Sequence, residues 1–194
     1  KVGERLDKAN PLTTVVFDKT GTLTRGEPEV TDILAGSGED ENRVLQIAMS
    51  LEAFSEHPLA AAIVERGRRA NLSPLAGERF EALSGLGAGA LLNGSYFLLG
   101  NRKLMETRHI EFESLAEEAG RLAAEGKTCV FVAEGNQAVG LIGLADVPRQ
   151  SAKETISTLK EMGLRVALIT GDNISTARAV GADLGIDDIM AEVL

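Results

Sequence analysis

Three places in the chain gather side chains that could handle a phosphoryl group or its carrier. The first is Asp18, which ends the run Thr13-Thr14-Val15-Val16-Phe17 and precedes the polar turn Lys19-Thr20-Gly21-Thr22. The second is Thr170-Gly171-Asp172-Asn173, which ends a similar run, Arg165-Val166-Ala167-Leu168-Ile169. In an open parallel sheet, ligands bind beyond the carboxyl ends of the strands, near a topological switch point. A carboxylate placed there can attack phosphorus and form an acyl phosphate. The third place holds Glu52 and His57. An imidazole can stack on a flat ring, and a carboxylate can accept hydrogen bonds. Taken singly, an acid after a strand or a histidine before Pro58 also fits a simple cap.

The full string Asp18-Lys19-Thr20-Gly21-Thr22-Leu23-Thr24 resembles the phosphorylation signature of P-type ATPases at every position. The resemblance implies a haloacid-dehalogenase-like fold, with Asp18 phosphorylated by ATP and Thr20 helping to bind Mg²⁺ and phosphate. Lys19 belongs to the same catalytic stretch. Thr170-Gly171-Asp172 resembles the second phosphate-site motif, and Asp146 with Arg149 resembles the point where an insertion returns to the phosphorylation domain. Haloacid-dehalogenase-type phosphatases are the nearest competitor, with a second aspartate two residues after the nucleophile. Here that position is Thr20, which cannot take or return a proton near neutral pH, so an acyl phosphate on Asp18 should persist.

Ser55-Glu56-His57-Pro58-Leu59-Ala60 resembles the nucleotide-binding signature of the heavy-metal-transporting subgroup and leans towards copper pumps over zinc, cadmium or lead ones. That likeness implies that Glu52 and His57 contact the adenine end of ATP, and that Gly85, Gly87 and Gly100 line the nucleotide site. Without Cβ atoms, such glycines let backbone come close to phosphates. Gly85-Leu86-Gly87-Ala88-Gly89-Ala90 also nearly matches a dinucleotide fingerprint, but Ala88 to Leu92 leads into a turn and another strand rather than the required helix. The chain contains no P-loop sequence. A nucleotide-binding module with a vestigial Asp18 is a further class, which the intact signature disfavours.

These residues need two kinds of scaffold. The continuous apolar runs before Asp18 and Thr170 suit strands buried in a parallel sheet. Helices are expected at about 151–162 and 176–184, the first with capping-box spacing at Ser151 and Glu154. Between the two apolar runs lies a different texture, with helices at 41–51 and 58–69, Pro58 standing at a first helical position. Short strands come next at 79–83, 88–92 and 96–99, with Asn93-Gly94 as a hairpin turn. A helix from Ser114 to Glu125, with a second capping box at Ser114 and Glu117, precedes strands at 128–133 and 138–144. The expected architecture is α/β. A haloacid-dehalogenase-like doubly wound parallel sheet forms a phosphorylation domain from residues 1–25 and 146–194. An α+β nucleotide-binding domain on an antiparallel sheet is inserted as residues 26–145.

Composition sets outer limits. The 194 residues are 44% apolar, enough for cores, and carry a net charge of −9, which disfavours nucleic acid as a partner. The lone Cys129 lies in an apolar run and is expected to be a buried strand residue; no His/Cys metal set is visible. No stretch approaches the length of a membrane helix. The chain reads as a cytoplasmic piece of a longer integral membrane protein, monomeric by itself. Its partners would be ATP and the intact protein's own actuator domain and membrane helices. The family pattern continues past Leu194 to a phosphate-contacting lysine and further Mg²⁺ ligands, so weak or absent turnover is expected of this piece.

Overall fold

The computed structural model describes residues 12–193 apart from Ser37, Phe54 and Glu56. Phe54 and Glu56 of the nucleotide signature therefore lie outside the described residues. The chain divides into two compact units: Lys1–Gly26 with Val147–Leu194, and Glu27–Asp146. The first is the split unit and the second the inserted unit.

The split unit is built on a parallel sheet of β1 (Thr14–Asp18), β8 (Arg165–Ile169) and β9 (Asp188–Met190), in the order β1-β8-β9. Helix α5 (Gln150–Glu161) leads into β8, and α6 (Ile174–Leu184) links β8 to β9. Leu23, Ile156, Val166, Leu168, Leu184 and Ile186 form its core. In the register of β1 on β8, Asp18 pairs with Ile169. Asp18 and the segment starting at Thr170 consequently leave the sheet side by side.

The inserted unit carries a six-stranded sheet in the order β2-β7-β6-β5-β4-β3. Its strands are β2 (Thr24–Ala35), β3 (Gly77–Leu83), β4 (Gly87–Leu92), β5 (Ser95–Gly100), β6 (Thr128–Glu134) and β7 (Gln137–Pro148). β3 to β7 are joined antiparallel. Along β5 and β6 side chains alternate between its two faces. Phe97, Leu99, Val132 and Ile142 face one core, shared with α1 (Glu41–Glu52) and α2 (Pro58–Arg69). Leu98, Phe131, Ala133 and Leu141 face a second core, shared with α3 (Arg102–Thr107) and α4 (Glu113–Ala124). A strand period of two thus sandwiches one sheet between two helical layers.

Local expectations are corrected at the helix starts. Neither Ser114 nor Ser151 caps a helix: α4 begins after Phe112 and α5 after Arg149, both without a side-chain cap. Tertiary anchors set these starts. Phe112 is buried with its ring 5.4 Å from that of Phe131, and the Arg149 N–H donates to the Leu23 carbonyl at 2.8 Å. Cys129 is half-buried rather than buried, its thiol donating to the Ala119 carbonyl of α4 at 3.5 Å. Burial pushes that thiol up from its ordinary value.

Candidate active site and nucleotide cavity

The turn after β1 is held from several directions by groups of the split unit. Gly21 takes a φ of 76°, the left-handed region open to glycine. The buried Thr24 hydroxyl donates to the Lys19 carbonyl at 3.0 Å and accepts from the Gly21 N–H at 3.3 Å. Arg149 reaches back with its guanidinium, donating to the Gly21 carbonyl at 3.0 Å and the Thr22 carbonyl at 3.2 Å. Asp18 and Thr20 are left exposed at the end of the strand. The nucleophile candidate is accessible while the backbone around it is fixed.

Lys19 points the other way. It is buried, and its ammonium lies 2.5 Å from Oδ2 of Asp172. The loop carrying Asp172 is itself tied down. The Asp172 N–H donates to the Thr170 hydroxyl, and the Glu192 N–H donates to the Asp172 carbonyl. Thr170 is buried and exposed Gly171 comes directly after it. Asp18, Lys19, Thr20, Thr170, Gly171 and Asp172 are therefore gathered at one sheet end. Among the described residues no three His, Cys, Asp or Glu side chains converge as a metal set. That leaves Asp18 and Thr20 as the donors on the exposed side.

The inserted unit holds a cavity of about 880 Å³. Glu52, His57, Gly85, Gly87 and Gly100, the five residues singled out for nucleotide binding, all line it. No Lys or Arg appears among its described lining residues, whereas Glu52 and Glu81 do. His57 caps α2, its Nδ1 accepting from the Leu59 N–H at 3.2 Å, with Pro58 at the first helical position. The capping reading and the ligand reading are compatible, because Nδ1 as acceptor leaves the proton on Nε2. Burial raises the Glu52 carboxyl above the ordinary carboxylate range; a hydrogen bond with Ser55 and the nearby His57 imidazole oppose this without cancelling it.

The glycines divide by role. A Cβ on Gly87 would stand 2.0 Å from the Leu99 carbonyl oxygen, and one on Gly100 2.2 Å from that of Leu86. Close packing between the paired ends of β4 and β5 requires glycine at these two positions, which also line the cavity. At Gly85 a Cβ would meet nothing within 4 Å, and φ is +70°. Asn101 fixes this loop: its Nδ2 donates to the Gly85 carbonyl at 2.9 Å while its Oδ1 caps α3 at Leu104.

A family model described as haloacid dehalogenase-like hydrolase matches residues 12–194. The chain belongs to the haloacid dehalogenase-like hydrolase family. Among curated relatives of this haloacid dehalogenase-like hydrolase, a "Probable copper-exporting P-type ATPase V" of Mycobacterium tuberculosis is 42% identical over the whole chain, which covers 25% of that protein. A "Copper-exporting P-type ATPase" of Bacillus subtilis is 41% identical over the whole chain, covering 24% of it. The chain thus spans about a quarter of the length of these relatives. Among solved structures, a zinc-transporting PIB-type ATPase in its E2.Pi state aligns at a TM-score of 0.88 and 35% identity, over 94% of this chain and 29% of that one. A CPx-ATPase catalytic domain, CopB-B, aligns at a TM-score of 0.66 and 23% identity, over 99% of this chain and 64% of its own; this likeness is one of fold alone.

Two residues hold loops of these sites through contacts that their local sequence does not specify. Arg149 acts on a turn 128 positions away, and Asn101 on a loop 16 positions away. Only a polar residue directly beside a helix start, as at both positions, hints at them.

Proposed function

We propose that this chain is the ATP-binding and phosphorylation part of a heavy-metal-transporting P-type ATPase, at the cytoplasmic side of a membrane. The observation that carries the reading is the convergence of Glu52, His57 and the three glycines on one large cavity, in a chain whose other unit exposes Asp18 at a strand end. ATP held in the inserted unit, the nucleotide-binding domain, is the phosphoryl donor. Glu52 accepts from the adenine amine and His57 stacks on the base. In the split unit, the phosphorylation domain, an Asp18 carboxylate oxygen forms a bond to Pγ as the bond from Pγ to the β-bridging oxygen breaks and ADP leaves.

The chain's own groups account for orientation. Thr24 and Arg149 hold the turn so that Asp18 keeps one direction, a positioning effect on which phosphoryl transfer depends heavily. Lys19 fixes Asp172 beside it. Thr20 supplies no acid or base, so the aspartyl phosphate is not turned over by its neighbour and persists. Mg²⁺ fits the exposed oxygen donors of Asp18 and Thr20, since this ion is commonly bound through one or two carboxylates, phosphate oxygens and retained waters. When bound, it neutralises charge on the transferring group.

Cargo enters through likeness. Copper is the ion named for the M. tuberculosis and B. subtilis relatives, at higher identity than the zinc-transporting neighbour, and copper export is the activity we assign to the intact protein. The test is labelling of the full-length protein with γ-phosphate-labelled ATP. Acid-stable, hydroxylamine-sensitive label is expected, and Asp18→Asn should abolish it. Label that survives Asp18→Asn would sink the assignment. Metal-dependent turnover of small phosphate esters would favour a phosphatase instead.

A further inference from the structure

Phe80 sits in β3 at the point where pairing with β4 is irregular. Glu78 stands opposite Leu91, and the next pair is Glu81 with Gly89. Three steps along β3 therefore match two along β4, the mark of a bulge. Inside it, Arg79 takes a φ of 54°, a region that non-glycine residues seldom occupy. Bulges re-aim side chains and are frequent beside active sites. The outcome here is that Phe80 is 40% exposed and lines the large cavity. Among the described residues of the inserted unit it is the one large apolar side chain left exposed, while Phe97, Phe112 and Phe131 are buried.

The neighbourhood suits a flat ligand. Gly77 makes room for the ring, since a Cβ there would lie 2.7 Å from Cζ of Phe80. Two residues on, Ala82 shares the strand face and the cavity wall with a minimal side chain. With no Lys or Arg among the described lining residues, recognition falls on the uncharged end of a nucleotide rather than on its phosphates.

We infer that Phe80 is a nucleotide-binding residue, its ring face forming the apolar platform on which the nucleobase lies, in the cavity that Glu52 and His57 also line. This rests on the nucleotide-binding function proposed for the same cavity. Every base has a π-face, and stacking on an aromatic ring stabilises a bound base substantially. Phe80 supplies that contact in addition to His57, and Glu52 then selects adenine by its exocyclic amine.

The chain contains no Trp, so Phe80→Trp creates a single fluorescent reporter. Calorimetry with ATP and with tripolyphosphate, on the unaltered chain, Phe80→Ala, Phe80→Leu and Phe80→Trp, tests the inference. Phe80→Ala is expected to weaken ATP binding about tenfold. Phe80→Leu, which keeps apolar bulk without a π-face, should fall between it and the unaltered chain. ATP should quench the Phe80→Trp emission and tripolyphosphate should not. If ATP binds the unaltered chain normally but Phe80→Ala and Phe80→Leu match it, or the Trp emission ignores ATP, the platform is refuted and the nucleotide reading stands. If ATP fails to bind the unaltered chain, both fall together.

Discussion

At Lys19 the chain commits a cation to the interior of the split unit, 2.5 Å from Asp172, while its neighbours Asp18 and Thr20 face solvent. Adjacent residues are thereby sorted into holding and reacting groups by the direction of their side chains. Arg149 adds a second layer of holding, because two carbonyls of the same turn accept from one planar guanidinium. In the inserted unit, Glu52 shows the opposite relation between stability and function. Its carboxyl is raised above the ordinary value by burial, so folding favours the protonated form. The stabilising contribution is complete below the unfolded value near 4.5 and is lost as pH rises through the folded value. Glu52→Gln removes that loss. The variant is expected to melt at a higher temperature than the unaltered chain near pH 7, with the gap closing at about pH 4. The same change should weaken ATP binding several-fold, because a neutral acceptor replaces a charged one. Thermal melts across that pH range, with ATP titrations at pH 7, check both halves. A gap that does not depend on pH would remove the buried carboxylate from the explanation.

At the scale of elements, the close pairing at the end of the β4–β5 ladder decides which glycines are interchangeable. Gly87→Ala sets a Cβ against the Leu99 carbonyl and should destabilise the inserted unit by several kcal/mol. Gly85→Ala meets open space and carries only the strain of its positive φ, on the order of 1 kcal/mol. Chemical denaturation of the two variants should separate them clearly, and similar losses for both would contradict the close packing of Gly87 against β5. Much of this layout is legible in the sequence. β1 and β8 are short continuous apolar runs ended by polar turns, and Asn93-Gly94 announces the hairpin of β4 and β5. β2 is not legible: Thr24–Ala35 contains Gly26, Pro28 and charges, and it becomes a strand by adding to β7 at the sheet edge. The six residues of α3 and three of β9 are too short to show a period. For the candidate site, the motifs around Asp18, Glu52 and His57, rather than the residue types alone, single these positions out. Thr24 and Asn101 work through hydrogen bonds that only the folded chain creates. The bulge that turns Phe80 outward leaves no trace in residue order.

At the scale of the molecule, three apolar cores serve two units, and a net charge of −9 surrounds them. A polyanion approaching such a chain is repelled at long range. The cavity itself offers Glu52 and Glu81 and, among its described lining residues, no Lys or Arg. Two consequences are measurable by titration. ADP should bind within a few-fold of ATP, since the phosphate chain meets no fixed cation. Raising ionic strength from about 0.02 M to about 0.2 M should leave affinity unchanged or improve it, by screening the repulsion. A tenfold loss with salt, or ADP binding tenfold weaker than ATP, would place phosphate recognition in the cavity after all. The cation-free wall also bears on when such a cavity is filled. A site that grips both nucleotides alike cannot be saturated by one while the other is abundant. Its occupancy by ATP would follow the ratio of ATP to ADP around it, so the inserted unit would hand over phosphate in proportion to the energy charge of the cell.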